Sequence, residues 1–375
     1  VRQSYHPLHS LKAGSWFKLI CGASYQHLPA VRNLALAYSL AGADCIDVAA
    51  DSAVIAAARE GIATAVKLSQ VVRSPLLMVS VNDGEDPHFR KAQFEAELCP
   101  GDCPQPCVAI CPAEAIVFQS KYKGIVDRLC YGCGRCLPVC PSNLITTRER
   151  VTTIETIVPW IEEMAIEAIE IHTQVGHYDN FGRVWQQIVP QLSNLKLIAI
   201  SCTDHPHVLE YLRSLYRLIS PLPIPLIWQT DGRSMSGDIG KGTTHAAIAF
   251  ARKILATDLP GYVQLAGGTN DYTVTKLERE GILSSTRQNS ATASGTRFIA
   301  GVAYGSYARS LLSPTLNKLD VNFYNLENIA SQTMNYSVKL EQNSQLLNKA
   351  VFLANNLVSQ LKNKAEPKQP NKARA

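Results

Sequence analysis

The sequence predicts an α/β fold, a closed (β/α)8 TIM-barrel-like domain. Eight short apolar runs recur along the 375 residues, each followed by an amphipathic stretch or, once, by a cysteine-rich insert. The runs are continuously apolar rather than alternating, as suits parallel strands buried on both faces. Eight such βα units fit a closed barrel better than the alternative, an open doubly wound sheet.

The first run, residues 17–24 (FKLICGAS), precedes PAVRNLALAYSLAGA, whose apolar residues recur at helical spacing. The second, 44–51 (DCIDVAAD), precedes SAVIAAAREGI, and the third, 75–82 (PLLMVSVN), leads into the cysteines. After them VTTIETIVPWIEEMAIE reads as a helix entering 168–174 (AIEIHTQ), and GRVWQQIVPQL enters 195–202 (LKLIAISC). HVLEYLRSLYRLI enters 224–232, THAAIAFARKILATDL enters 261–269, and VTKLEREGIL enters 296–305. SYARSLLSPTLNKL closes the cycle. Leu326, Ile329, Met334, Val338, Leu346, Leu347, Val351, Leu357 and Leu361 then fall mostly at helical spacing. One or two C-terminal helices packed on the barrel are expected there, with a partner-binding helix as the alternative. The basic, apolar-poor tail 362–375 is expected to be disordered. The predicted division is 1–94 (barrel strands 1–3), 95–145 (inserted module), 146–320 (strands 4–8) and 321–375 (helical segment and tail).

Hydrophobic residues make up 46% and charged residues 18%, an ordinary globular balance that excludes wholesale disorder. The net charge of +5 is too mild to indicate nucleic acid. No apolar run reaches the length of a membrane span, and the first 24 residues lack the apolar stretch of a secretory signal. Eight of the eleven cysteines fall between Cys99 and Cys140. In a long chain without a secretory signal, this clustering points to metal or redox chemistry in a reducing, cytoplasmic setting rather than to disulfides.

Cys130-x2-Cys133-x2-Cys136-x3-Cys140-Pro141 has the spacing of a bacterial ferredoxin run. Three closely spaced thiolates wrap one cubane from a single loop, and the fourth points away to the other cluster. Upstream, Cys99-x3-Cys103-x3-Cys107-x3-Cys111-Pro112 ends in the same way. The intervening AEAIVFQSKYKGIVDR reads as a short hairpin joining the two halves. Cluster I is therefore assigned to Cys99, Cys103, Cys107 and Cys140, and cluster II to Cys130, Cys133, Cys136 and Cys111. Two structural zinc sites, each held by four cysteines, are the competing reading, but they give no reason for interleaved Cys-Pro endings. The wider gaps of the first run allow either a four-iron or a three-iron cluster I. Cys21, Cys45 and Cys202 lie in predicted strands and read as buried small hydrophobes.

Barrel chemistry is expected where strands meet the following loops. Ser24, Asp51, Asn82, His172, Thr203, Asp204, Gln229, Asp231 and Asn270 stand there. Gly267, Gly268 and Thr269 after strand seven, with Gly301 and Gly305 after strand eight, suit a phosphate site for a flavin or sugar phosphate; close strand–helix packing is the alternative reading. Arg233 and Lys241 lie in a Gly-rich loop that fails the P-loop pattern at Met235 and Gly242. His172, His177, His205 and His245 are acid/base candidates that each also suit surface or capping roles. Asp83 to His88 reads as a connector.

VSVNDGEDPHFRKAQFE, CPGDCPQPCVAICPAEAIVF and GIVDRLCYGCGRCLPVCP within a barrel-like chain together resemble the light-dependent period (LdpA) family of cyanobacteria. The resemblance covers most of the chain. It implies that the eight matching cysteines are cluster ligands, and that the protein feeds light- and redox-dependent input to the circadian clock. By the same resemblance its partners are clock or redox-signalling proteins. No catalytic residue follows from it. A redox sensor is the favoured expectation; an iron–sulfur oxidoreductase with a flavin or substrate in the barrel mouth is the alternative.

Overall fold

The computed structural model describes residues 6–69, 74–84, 89–111, 113–119, 122–149, 152–232, 243–283, 297–319 and 339–362. In chain order the strands are β1 (Trp16–Ile20), β2 (Cys45–Ala49), β3 (Leu76–Asn82), β4 (Arg90–Gln93), β5 (Ile116–Gln119), β6 (Tyr122–Ile125), β7 (Thr146–Glu149), β8 (Ala168–His172), β9 (Leu197–Thr203), β10 (Leu226–Asp231), β11 (Tyr262–Ala266) and β12 (Ile299–Tyr304). Eight of them close a barrel in the order β1-β12-β11-β10-β9-β8-β3-β2. The eight predicted runs are these strands, and closure rather than an open sheet is settled at one seam. There β1 pairs in parallel with β12, Trp16 opposite Gly301. A Cβ on Gly301 would stand 2.1 Å from the Trp16 carbonyl oxygen, so this strand pair closes only with glycine.

Side chains alternate across each strand. The outward set, including Phe17, Leu19, Ile46, Val48, Val79, Ile169, Ile198, Ile200, Val263 and Leu265, packs under the helices in the main core. The inward set is layered. Trp16, Cys45, Leu76, Met78, Ala168, Leu197, Ala199, Ile227 and Ala300 form an apolar floor. A short helix, Leu8–Ala13, closes that end with the fully buried Leu11. Sequence periodicity missed it because six residues carry too little of a 3.6-residue repeat. One step up each strand the interior turns polar, with Lys18, Asp47, Ser80, Glu170, Ser201, Gln229 and Gln264 all buried.

Asp51, expected at the mouth, caps the helix Ser52–Leu68: one carboxylate oxygen accepts from the N–H groups of Ala53 (2.9 Å) and Val54 (3.2 Å), and the other accepts from Gln26 Nε2 (2.7 Å). At the C-terminal end the helix Ser344–Lys362 packs on the barrel, as expected, through Ala350, Ala354, Leu357, Val358 and Leu361. Arg32 pairs with Glu341 just before it, and Lys362 pairs with the buried Asp44. Leu326, Ile329, Met334, Val338, Arg233, Lys241 and the tail beyond 362 lie outside the described residues. Among the described residues no helix is long and apolar enough to cross a membrane.

Candidate functional site

The insert leaves the barrel after β3 and returns before β8. Its stem is the antiparallel pair β4–β7, running from Arg90 opposite Glu149 to Gln93 opposite Thr146. The hairpin expected between the cysteine runs is β5–β6, also antiparallel. The module has its own core, built from Ala92, Cys107, Ala115, Ile116, Leu129, Cys130, Cys136 and Ile145. The rings of Phe94 and Phe118 lie against it, 5.9 Å apart.

Lys91 anchors the module to the barrel. Fully buried, its Nζ donates to Gln26 Oε1 (2.9 Å) and to the Asp127 carbonyl (2.7 Å), and it pairs with the Asp127 carboxylate at 3.1 Å. Arg148 takes the other carboxylate oxygen. Burial opposes the charge on Asp127, yet Arg148 and Lys91 outweigh it and hold the carboxyl below its usual range.

All eleven cysteines are free thiols. Cys107 lies on the helix Pro106–Ile110, and Cys111 ends that helix and accepts the Ala115 N–H at 3.3 Å. Cys130, Cys133 and Cys136 follow β6 in one loop. Gly132 is required there: its φ is +70°, and a Cβ would meet the Arg90 carbonyl oxygen at 2.0 Å. Burial pushes Cys99 up, and the thiols of Cys103, Cys107 and Cys140 add to the shift. Burial takes Cys136 to about 12, reinforced by Cys133, Cys130 and Cys111. As thiolates the members of each group of four would repel one another, and each group draws one member from the other sequence run. A bound cationic centre relieves such repulsion. At Cys140 burial is outweighed by the backbone N–H groups of Ile145, Leu144, Ser142 and Asn143, which lower its pKa. Among the described residues no three His, Cys, Asp or Glu side chains close on one point as a single metal ion requires; a cubane is larger and spaces its thiolates more widely. Cys21, Cys45 and Cys202 are buried, and burial pushes Cys21 and Cys202 to about 12, so they are inert thiols.

The polar layer of the barrel forms one connected network. Lys18 Nζ stands 3.1 Å from Asp47 Oδ2 and pairs with Glu170. Burial works against its charge, but Asp47 and Glu170 hold it protonated, so Lys18 is no nucleophile. Asp47 is pushed up by burial, while Lys18 and His172 overcome burial at Glu170 and hold it down. Glu170 Oε1 also receives Gln229 Nε2 (2.6 Å) and lies 2.9 Å from His172 Nε2. Gln264 donates to Gln229 Oε1 (2.6 Å), Trp16 donates to Gln264 Oε1 (2.7 Å), and Ser201 donates to Asp231. Sequence reasoning reached Gln229, Asp231 and His172 at the strand ends but missed Lys18, Asp47 and Glu170. The available signal was a charged residue in the middle of each of three otherwise apolar runs.

Above this layer a cavity opens, lined by Asp47, Ser80, Glu170, His172, Gln229 and Asp231 below and by Gly267, Gly268, Thr269, Gly305, Ser306 and Arg309 at the rim. Gly301 does not line it but sits inside β12 at the barrel seam. The Thr269 hydroxyl donates to the Ala303 carbonyl (2.6 Å). Tyr131, between Cys130 and Cys133, also lines the cavity. The Arg309 guanidinium carbon lies 4.2 Å from the Tyr131 ring centre. The cysteine loop therefore meets the barrel mouth directly.

Of the other expected groups, His177 pairs with Asp83 at 2.9 Å, in the segment read as a mere connector. Asp204 pairs with Lys253 at 2.6 Å, and the His205 ring accepts the His207 N–H at 3.1 Å. His245 is exposed on the helix Thr243–Leu255. His177, Asp204, His205 and His245 do not line the cavity.

Fold and site define an α/β-barrel protein carrying an iron–sulfur module. The family described as "LdpA Fe-S cluster-binding domain" matches residues 99–151, and "Light dependent period A C-terminal domain" matches 160–360. A curated relative from Synechococcus elongatus, "Light dependent period A", is 50% identical over 313 residues, 84% of this chain and 85% of its own. The chain belongs to the light-dependent period A family. Among solved structures, Mycobacterium tuberculosis tryptophan synthase matches over 96% of this chain and 98% of that chain, at 9% identity and a TM-score of 0.37. That likeness is too slight to bear on function.

Proposed function

We propose that this protein is a cytoplasmic redox sensor built on two iron–sulfur clusters, and that it adjusts circadian period to light through photosynthetic redox state. What carries the reading is the spacing of the eight cysteines within the segment 99–151 that matches an iron–sulfur cluster-binding domain, and the mutual influence of their thiols in two interleaved groups of four supports it. Cys99, Cys103, Cys107 and Cys140 hold cluster I, of four or three irons. Cys130, Cys133, Cys136 and Cys111 hold cluster II, of four. When bound, such clusters supply one-electron chemistry at potentials set by hydrogen bonds to sulfur and by solvent exposure. The chain's own residues set those conditions: the Ser142–Ile145 amides at Cys140, the Ala115 amide at Cys111, and Tyr131 over the barrel mouth. The family of the chain supports the clock connection, and clock or redox-signalling proteins are its partners in this reading.

Anaerobically prepared protein is expected to carry two clusters by iron and sulfide count and to give cubane-type paramagnetic signals. Cys111→Ser should remove the signal of cluster II although Cys111 lies in the first run. Stoichiometric zinc without iron, or loss of cluster I alone in that variant, would defeat the proposal. The contact between Tyr131 and the barrel cavity favours a second reading, an oxidoreductase passing electrons to a flavin at the mouth. A thermal shift with flavin mononucleotide, and flavin reduction that slows in Cys140→Ser, would establish it; neither is expected of a sensor.

A further inference from the structure

The geometry points to the barrel mouth as a binding site for a phosphate ester of a small polyol, its phosphate held at the start of the helix Ser306–Leu316 beneath Tyr131. Ser306 Oγ and Arg309 Nε are buried polar atoms with no hydrogen-bond partner, on residues 7% and 6% exposed. Both residues line the cavity together with Gly267, Gly268 and Gly305. A folded chain does not leave donors in this state without cost unless water or a ligand completes them.

Arg309 is fixed for the purpose. Its Nη1 donates to the carbonyls of Ile20 (2.9 Å) and Cys21 (3.1 Å), and its flat face meets Tyr131. Among the described residues no carboxylate pairs with it, so its charge awaits an anion. The helix start has no side-chain cap and no acidic residue in its first turn, which leaves its amides and the positive end of its dipole for a ligand. A hydroxyl, a guanidinium and a helix terminus together suit the three terminal oxygens of a phosphate ester.

The floor decides the rest of the ligand. Asp47 Oδ2 lies near Lys18 without hydrogen-bond geometry and has no hydrogen-bond partner, and Ser80, Gln229 and Asp231 line the cavity beside it. These acceptors take hydroxyl donors. The same acids repel a second anionic group, so the site selects a hydroxylated monoester over a bisphosphate or a diacid.

Titration calorimetry on the full, cluster-loaded chain tests this with glycerol 3-phosphate, inorganic phosphate and glycerol. Saturable binding of glycerol 3-phosphate is expected, with inorganic phosphate weaker and glycerol silent. Arg309→Lys and Ser306→Asp should each weaken binding by about tenfold or more. In the unaltered protein, glycerol 3-phosphate should slow amide exchange at 267–269 and 305–309, a readout that needs no variant to fold. Absence of saturable binding by both phosphate probes, slowed exchange only elsewhere, or variants with native cluster absorbance that bind like the parent would overturn the inference. None of these measurements depends on cluster reduction, so the result stands apart from the fate of the sensor reading.

Discussion

Lys18 shows how much one side chain decides in the barrel interior. It is fully buried and is the cation shared by two buried carboxylates, Asp47 and Glu170. Lys18→Met leaves both without their cation, and loss of one partner from a buried ionic pair costs about 3–5 kcal/mol. A fall of that size in unfolding free energy, with cluster content unchanged in what still folds, is the expected outcome; a variant as stable as the parent would show that the network is not held by charge. His27 gives a second prediction. Burial, helped by Arg128, lowers its pKa to about 4. The unfolded chain therefore binds a proton near pH 6.5 that the folded chain refuses until about pH 4. The neutral ring's contribution is intact above pH 6.5 and is lost as pH falls toward 4. Between about pH 7 and pH 5 the parent should lose about 2 kcal/mol more than His27→Gln. Parallel stability curves for the two proteins would refute the buried neutral ring.

At the scale of elements, the C-terminal helix behaves as part of the barrel wall. Leu357 is 2% exposed within it, whereas Phe352 is 64% exposed. Leu357→Ala should cost about 2–5 kcal/mol in thermal or denaturant unfolding. Phe352→Ser should cost less than about 0.5 kcal/mol. Equal effects would mean that this helix does not dock as described. The cysteine loop is tighter still, because Gly132 passes against the Arg90 backbone. Gly132→Ala should displace the loop and lower the iron–sulfur content in an iron count, leaving the barrel's circular dichroism unchanged.

Across the whole molecule, the module and the barrel have separate cores joined by the β4–β7 stem, Lys91 and Tyr131. Chelating the iron should therefore free residues 94–145 to exchange their amide protons while the barrel strands stay protected. Exchange rising equally in β8 to β12 would show that the two units fold as one.

The iron–sulfur spacing and the eight strands were legible in the sequence because both are local. Three of the four cysteines proposed for each cluster come from one run at set separations, and a buried parallel strand writes itself as an apolar run. Gly267, Gly268 and Gly305 were legible as mouth residues because a strand's end lies next to its loop. The short helix Leu8–Ala13 was too brief to show a period. Asp51 read as a site residue, although one of its carboxylate oxygens caps its own helix through the nearby amides of Ala53 and Val54. Lys18, Asp47 and Glu170 are far apart in sequence, and only barrel closure, with its alternation of inward and outward side chains, turns three isolated charges into one buried network. Gly301 shows the converse: one strand's glycine owes its place to Trp16 on the other side of the seam. Tyr131 met Arg309 for the same reason, since the chain had to complete the barrel before residue 309 could lie beneath a loop at residue 131. Ligand spacing is local chemistry and survives in the linear order; pairing across a closed sheet is a property of the closed sheet alone.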